Sequence, residues 1–240
     1  MNGQFAQTKS KSAPTADQIL ARLRSLADPK ILETEKRLGI DIENGLGISI
    51  WDLRKVAKEL GRDQALAEQL WKTGVREARL LAGYIADPET ISEATIERWA
   101  KDFNSWDIVD QVADAIWFSP YGYKKAVAWS KRPEEFVKRA AFVLMAGLAF
   151  YDKKAPNEKM EKFFPIIIRE STDERNYVKK AVNWALRNIG KRNAVLNRKA
   201  ISTAKQLAKS EDKTAQWIAK DALKELMSDK VQVHLKAKKA

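Results

Sequence analysis

The segment FNSWDIVDQVADAIW (103–117) holds the residues whose types and spacing could do chemistry. If Ser105 caps a helix here, Trp106 and Asp110 lie four residues apart on one face of that helix. Further acids fall three residues before and four residues after Asp110. Three carboxylates therefore share one side of the predicted helix: Asp107, Asp110 and Asp114.

Three simpler interpretations of this segment remain open. Asp107 is placed to interact favourably with the positive end of the helix dipole, and that alone would explain it. Trp106 and Trp117 could be core residues, since tryptophan is more often used for packing than for function. The acids could also bind a divalent metal, although no preformed loop or further ligand supports this.

The composition limits the chemistry that is available. The chain has no cysteine and one histidine, His234, close to its end. A zinc site lacks its usual ligands, and a Ser-His or Cys-His nucleophile lacks its base. Any enzyme activity must therefore use carboxylates, basic side chains and aromatic rings, and we expect neither a metal nor another cofactor.

The charge is distributed unevenly along the chain. Residues 120–240 carry a net charge of +15, whereas residues 1–119 carry −3. This asymmetry indicates that one face meets nucleic acid or another anionic surface. The alternative is a lysine-rich exterior that is only solvated.

Helical signals follow one another along the whole chain. Thr15 and Gln18 have the spacing of a capping box, and Ser49 and Asp52 have a related one that begins a helix ending at Gly61. Proline and glycine separate the apolar segments, and no stretch alternates with period two. The sequence predicts an all-α protein of about 12–14 helices.

A weak internal repeat indicates how these helices are arranged. Segments 74–84, 136–147, 177–188 and 217–226 share an apolar residue, a basic residue one to three places later, and then small and apolar residues at helical spacing. Helix pairs that repeat every 30–47 residues or so are typical of HEAT-like α-solenoids. We expect a superhelical solenoid with a basic concave face; an irregular helical bundle is the alternative.

The basic positions of the repeat would form a ladder that follows DNA phosphates. Trp184, four residues after Lys180, would approach this face near Asp110. The residues of the ladder are Lys138, Arg139, Lys179, Lys180, Arg187 and Lys220, and Lys191 joins the predicted DNA-binding set.

The predicted organisation is one domain between two short ends. Residues 1–14 are interpreted as a flexible arm, 15–227 as the HEAT-like repeat domain, and 228–240 as a basic C-terminal tail. The first residues lack the apolar core of a secretory signal, and no apolar stretch is long enough to span a bilayer. We expect a cytoplasmic monomer without membrane contact that associates with the nucleoid when bound to DNA.

Four segments together carry a resemblance to a known family. The sequence resembles the AlkD-like DNA glycosylases, DNA alkylation repair enzymes built from HEAT-like repeats, from about residue 17 to 226. The segments are IDIENGLGISIWDLRKVAKEL (40–60), FNSWDIVDQ (103–111), FVKRAAF (136–142) and KKAVNWALRNIGKRN (179–193).

The resemblance implies that the protein removes positively charged N-alkylated purines, typically 3-methyladenine and 7-methylguanine, from duplex DNA. The family's aspartate falls on Asp110, its two active-site tryptophans on Trp106 and Trp184, and its arginine on Arg139. Asp110 would stabilise an oxocarbenium-like sugar and orient water. Arg139 would hold the phosphate beside a lesion that remains stacked.

One segment departs from the family pattern. The family has an aromatic residue on an early helix that faces DNA, and the corresponding stretch KRLGIDIEN (36–44) has none. Two other functions are considered besides catalysis. One is a non-catalytic binder of damaged or branched DNA on the same fold, and the other is a HEAT-type scaffold for acidic proteins.

Overall fold

The structure, a computed structural model, describes residues 13–237. Most of the predicted arm (1–14) and the last three residues of the predicted tail lie outside this range. The described residues contain no β-strand, as predicted. They form fifteen helices: α1 (Ala16–Ser25), α2 (Pro29–Arg37), α3 (Ile50–Leu60), α4 (Gln64–Lys72), α5 (Arg76–Ile85), α6 (Glu93–Ala100), α7 (Trp106–Trp117), α8 (Gly122–Trp129), α9 (Glu135–Tyr151), α10 (Asn157–Glu161), α11 (Phe163–Glu170), α12 (Asn176–Gly190), α13 (Ala194–Leu207), α14 (Lys213–Leu226) and α15 (Asp229–Ala237).

The predicted caps begin the helices to which they were assigned. The Thr15 hydroxyl accepts a hydrogen bond from the backbone N–H of Gln18, whose side chain accepts one from the Thr15 N–H in return. Ser49 caps α3 in a similar way through the N–H of Asp52. The helix ends at Gly61, which has a φ of 70° and so suits a residue without a side chain.

The helices are arranged in two layers, and the inner layer forms the concave face. Helices α3, α5, α7, α9, α12 and α14 pack side by side in this order, with α4 behind α5, α8 behind α9 and α13 behind α12 and α14. The inner helices are parallel, because Arg76 at the start of α5 contacts Asp107 at the start of α7. The fold is the predicted HEAT-like α-solenoid.

Three tryptophans pack α4, α6 and α8 against one another. Trp71 and Trp99 stack with their ring centroids 4.4 Å apart and both are buried, and the buried Trp129 lies beyond Phe103. Stacked aromatic pairs of this kind add about 0.5–1.5 kcal/mol to the energy of burial. Trp117 also belongs to the core, whereas Trp106 and Trp184 of the predicted site are only partly buried, with Trp184 packed against the core.

Two of the fifteen helices were not predicted. Asp28 caps α2 through the N–H of Lys30, with Pro29 in the first turn. Helix α15 buries Val231 and Leu235, so most of the predicted tail is helical. None of the helices within residues 13–237 is long and apolar enough to cross a membrane.

Candidate active-site groove

The first turns of α7 present one aromatic ring and one carboxylate to the concave face. Trp106 is the first residue of α7, and its indole N–H donates to the carbonyl oxygen of Leu38 at 3.1 Å. Asp110 follows one turn later. Leu38 lies in the stretch 36–44, which lacks the aromatic residue that the resemblance implied; it is 58% exposed and lines the groove.

Asp110 is held by Arg139 of α9. The guanidinium donates from Nε to Oδ1 at 3.0 Å and from Nη2 to Oδ2 at 2.7 Å, and its Nη1 donates to the carbonyl oxygen of Tyr177 at 2.9 Å. The two side chains are 17% and 8% exposed. A two-point ion pair of this kind fixes both the position and the plane of a carboxylate.

The contacts of Arg139 in this structure are with Asp110 and with the backbone. The resemblance implied that Arg139 holds a DNA phosphate; here its fork of donors is directed at Asp110 and its third nitrogen at a backbone carbonyl. Burial raises the pKa of the Asp110 carboxyl, and the Arg139 guanidinium acts in the opposite direction. These hydrogen bonds fix the position of the Asp110 carboxylate.

The four predicted site residues meet in one cavity of about 720 Å³ on the concave face. Trp184 of α12 lies across from α7, as its spacing from Lys180 suggested. Both tryptophans are partly exposed, so their rings are accessible from the groove. The lining residues are Leu38, Trp106, Asp110, Arg139, Tyr177, Lys180, Asn183, Trp184, Arg187, Trp217 and Asp221.

The predicted basic ladder is partly neutralised. Lys138 lies 2.6 Å from Glu170 and 3.3 Å from Asp173 and is only 13% exposed, so it stabilises the fold instead of facing DNA. Arg187 and Lys191 both pair with Glu225, at 2.6 and 2.7 Å. Arg187 nevertheless lines the groove cavity, and both Arg187 and Lys191 remain partly exposed.

The remaining cations of the ladder lie on the exposed surface of α12 and α14. Lys179 places its Nζ 5.6 Å from the ring centroid of Trp217. Lys180 and Lys220 are exposed, and none of the ion pairs among residues 13–237 involves either of them. Of the predicted DNA-binding set, Lys180 and Lys220 have exposed side chains, and Lys179 is partly exposed beside the Trp217 ring.

Asp107 lies in a buried ionic cluster and not at an open helix end. Arg76 donates to its Oδ2 from Nη2 at 2.6 Å, and the same guanidinium pairs with Glu35 and Glu77 at 3.0 and 2.9 Å. All four side chains are at least nine-tenths buried. Ser105 is the N-cap residue of α7, as predicted, but its hydroxyl donates to Asp107 instead of accepting a capping hydrogen bond, and Asp107 lies in the first turn of the helix.

The three acids of α7 do not form a common site. Asp114 lies in a neighbouring cavity with Arg54 and Gln111, and burial raises the pKa of its carboxyl to about 6 against the opposing effect of Arg54 and Arg62. Within residues 13–237, no group of three or more acidic, histidine or cysteine side chains is arranged to hold a metal ion.

Several lining residues were not found from the sequence. Tyr177 and Trp217 begin two of the repeat segments, so the shared aromatic character at that position was an available signal. Asn183 is 2% exposed and donates to Asp221 at 2.6 Å. Nothing in the local sequence distinguishes this asparagine from an ordinary polar residue of α12.

The fold places this chain in the class of HEAT-like repeat proteins. The model of the family described as DNA alkylation repair enzyme matches residues 19–226, and the chain belongs to this family. DNA repair, with DNA as the partner, is thereby its general function. No curated protein sequence matches the chain.

Of two solved structures that match the chain, the first is similar in fold. It is described as "A new family of proteins related to the HEAT-like repeat DNA glycosylases with affinity for branched DNA structures"; it is 22% identical, covers 89% of this chain and 96% of its own, and has a TM-score of 0.75. The other, "Designed armadillo repeat protein YIII(Dq)4CqI", is 16% identical, covers 72% and 91%, and has a TM-score of 0.33.

Proposed function

We propose that the protein is a monofunctional DNA glycosylase that hydrolyses the N-glycosidic bond of positively charged N-alkylated purines, such as 3-methyladenine and 7-methylguanine, in duplex DNA. One observation carries this proposal: the Asp110 carboxylate, fixed by Arg139, lines the same cavity as Trp106 and Trp184. Membership of the DNA alkylation repair family supports it.

The charge of the lesion explains why one acid is sufficient. Ordinary glycosidases use two carboxyl groups, one of which protonates the leaving group. An N-alkylated purine already carries a positive charge and leaves as a neutral base. What remains for the enzyme is to stabilise the oxocarbenium-like sugar and to supply water, and a fixed carboxylate at Asp110 serves both purposes.

Arg139 contributes by preparing Asp110 before DNA arrives. Each carboxylate oxygen accepts one hydrogen bond from Arg139 and keeps a further lone-pair site for water. The positive guanidinium also favours the ionised carboxylate in its partly desolvated position. Little reorganisation is then needed as charge develops on the sugar.

The tryptophans suit a cationic substrate. The face of an indole ring attracts a nearby cation by about 0.5–2 kcal/mol, depending on desolvation. Trp106 and Trp184 lie on α7 and α12, on either side of α9. Because the cavity is a stretch of the concave face built from several helices, we propose that the lesion remains stacked and is approached from the backbone, unlike the base flipping of most glycosylases.

Lysines of α12 and α14 supply phosphate-binding groups along the groove. Lys180 lines the cavity and Lys220 is exposed on the neighbouring helix, while Lys179 lies over the ring of Trp217. Binding to undamaged duplex is then electrostatic and weakly dependent on sequence.

Release of free methylated base from alkylated duplex DNA by the purified protein tests this function. We expect 7-methylguanine and 3-methyladenine to appear in the soluble fraction at the same rate with and without EDTA, and an abasic strand to remain. Absence of free base under conditions where the duplex is bound would refute glycosylase activity. Loss of release in EDTA, restored by a divalent ion, would refute the metal-free mechanism.

A non-catalytic DNA binder is the second candidate function. The solved structure that covers 89% of this chain is described as having affinity for branched DNA. Such a protein would bind branched duplex without releasing base. The scaffold for acidic proteins is separated from both candidates by a gel shift with duplex DNA between about 50 and 200 mM salt, where phosphate binding predicts a steep loss of affinity.

A further inference from the structure

Four aromatic side chains gather at the C-terminal ends of α7 and α9. We call Trp117, Phe118, Phe150 and Tyr151 the aromatic rim. Phe118, Phe150 and Tyr151 are 54%, 56% and 48% exposed. The Tyr151 ring lies 5.1 Å from that of Trp117, 5.4 Å from Phe118 and 4.8 Å from Phe150, measured between centroids. An exposed aromatic group of this size indicates a binding surface.

The inner ring of the rim is held in place by the backbone of α9. Trp117 lies so close to Gly147 that a Cβ atom at this position would be 2.1 Å from the indole ring. Trp117 is only 9% exposed, and its indole N–H has no hydrogen-bond acceptor among the described residues. The rim therefore has a rigid base of stacked Trp117 and Tyr151 that carries the two exposed phenylalanines.

The rim continues the groove that contains Asp110. A cavity of about 430 Å³ is lined by Asp110 and Trp184 at one end and by Trp117, Phe150 and Tyr151 at the other. Trp117 is two helical turns beyond Asp110 on α7, a distance of about 10 Å at 1.5 Å per residue. DNA that occupies the groove at Asp110 therefore reaches the rim without leaving the concave face.

Cations lie among the rings of the rim. The Lys153 Nζ is 4.5 Å from the ring centroid of Phe150, and the exposed Lys154 lines a second cavity of about 450 Å³ beside Phe118 and Tyr151. Aromatic faces next to lysines bind unpaired nucleic acid strands, because bases stack on the rings while phosphates pair with the ammonium groups. Paired bases within a duplex have no free faces to offer such a surface.

We propose that the aromatic rim is a stacking site for unpaired nucleobases, which binds a DNA strand where it leaves the duplex held in the groove. The inference rests on the proposed function only in placing duplex DNA along the concave face. It does not require base release, and it assigns to the C-terminal ends of α7 and α9 a ligand that the glycosylase reaction does not use.

Two DNA ligands of equal duplex length test the proposal, one blunt and one with a single-stranded tail that carries 2-aminopurine next to the junction. We expect the protein to bind the tailed DNA about tenfold or more tightly than the blunt DNA and to quench the 2-aminopurine fluorescence on binding. The double variant Phe118→Ser/Phe150→Ser should lose both effects and keep its affinity for blunt duplex.

The control variant is Leu26→Ser, which replaces an exposed apolar residue at the end of α1, in a helix that does not line the groove cavities. It should behave like the unmodified protein. Equal affinity of the unmodified protein for the two DNAs, or a tail preference and quenching that survive in the folded double variant, would overturn the proposal. Base release from methylated blunt duplex is measured in parallel and tests the glycosylase proposal separately. A preference for tailed DNA without base release would overturn the glycosylase function and leave the stacking site standing.

Discussion

Two aspartates of α7, three residues apart, each bind an arginine of a neighbouring inner helix, but their surroundings differ. Asp107 and Arg76, which we call the sealed pair, are about 4% exposed each. The Arg76 guanidinium also pairs with Glu35 and Glu77. Asp110 and Arg139, the groove pair, have no second acid in hydrogen-bond contact and line a cavity.

The comparison shows that residue type and pairing do not distinguish a structural carboxylate from a functional one. The sealed pair fixes the start of α7 to the start of α5, and Glu77 extends it to the chain before α3 by accepting hydrogen bonds from the N–H groups of Leu46 and Gly47. The groove pair leaves carboxylate oxygens beside two tryptophans in a space that a ligand can enter. Accessibility of the remaining lone pairs is what separates the two roles.

The largest effect on stability is expected from breaking the sealed pair. Asp107→Asn weakens the two hydrogen bonds that Arg76 donates to Oδ2, each worth about 1.5–3 kcal/mol of unfolding free energy for a charged group, while Glu35 and Glu77 still compensate the guanidinium. Urea unfolding measures this cost. The exposed Asp17→Asn in the first turn of α1 is the matched control and should cost only ~0.3–1 kcal/mol.

Folded Asp107→Asn protein should excise methylated bases at a rate close to that of the unmodified protein. A cost below that of the Asp17→Asn control would show that the cluster contributes little. If Asp107→Asn were fully stable but unable to excise methylated bases, the roles that we give the two aspartates would be reversed.

A smaller effect, on the rate of excision, is expected from Arg139→Lys. The lysine keeps the positive charge of the groove pair but cannot hold both carboxylate oxygens at once. Loss of a charged hydrogen bond, at about 1.5–3 kcal/mol, predicts an excision step slower by roughly 10- to 100-fold. Single-turnover kinetics over a range of pH measures this change.

The pH profile separates positioning of Asp110 from simple loss of packing. Burial already raises the pKa of Asp110, and excision needs its ionised form, so the rate should fall as the pH falls through that pKa. Lysine lowers the pKa of Asp110 less than arginine does, so burial raises that pKa further in Arg139→Lys. The acid limb of the pH–rate profile of this variant should therefore move to higher pH. An unchanged rate and profile would mean that Arg139 does not position Asp110.

The smallest effect is expected at Asp114, the third acid of α7. Burial raises its pKa to about 6 from an ordinary value of 3.8, so its contribution to stability is complete below pH 3.8 and is lost as the pH rises through 6. Asp114→Asn avoids the cost of a buried charge. At pH 8 the melting temperature should rise by about 2–4 °C for each kcal/mol gained, and near pH 4 the two proteins should melt together. A lower melting temperature at pH 8 would show that Arg54 stabilises the charge more than burial opposes it.

Local signals in the sequence were sufficient for the fold and for part of the site. The Thr15 and Ser49 caps, the repeat and the i, i+4 spacing of Trp106 and Asp110 all depend on neighbouring residues, and the structure has the fold that they predicted. Helix α2 was missed although Asp28 and Pro29 are ordinary start signals, because its nine residues carry few apolar positions.

The partners of the charged residues could not be predicted in the same way. Asp107 meets Arg76 from 31 residues away, Asp110 meets Arg139 from 29, and Lys138 meets Glu170 from 32. These contacts depend on how one repeat packs on the next. The spacing of residues within one helix contains no information about that packing. For this reason the sequence did not reveal that Lys138 and Arg139 pair with acids of neighbouring repeats.

The most direct test of the account is the single-turnover rate of 7-methylguanine excision by Asp110→Asn, with duplex affinity measured separately. The asparagine keeps the size of the side chain and removes the charge that stabilises a cationic sugar. Loss of preorganised electrostatic stabilisation of this kind predicts an excision step slower by about 100- to 1000-fold, with affinity unchanged or slightly higher because a negative charge facing DNA is gone. Excision by Asp110→Asn at the rate of the unmodified protein would contradict the carboxylate mechanism.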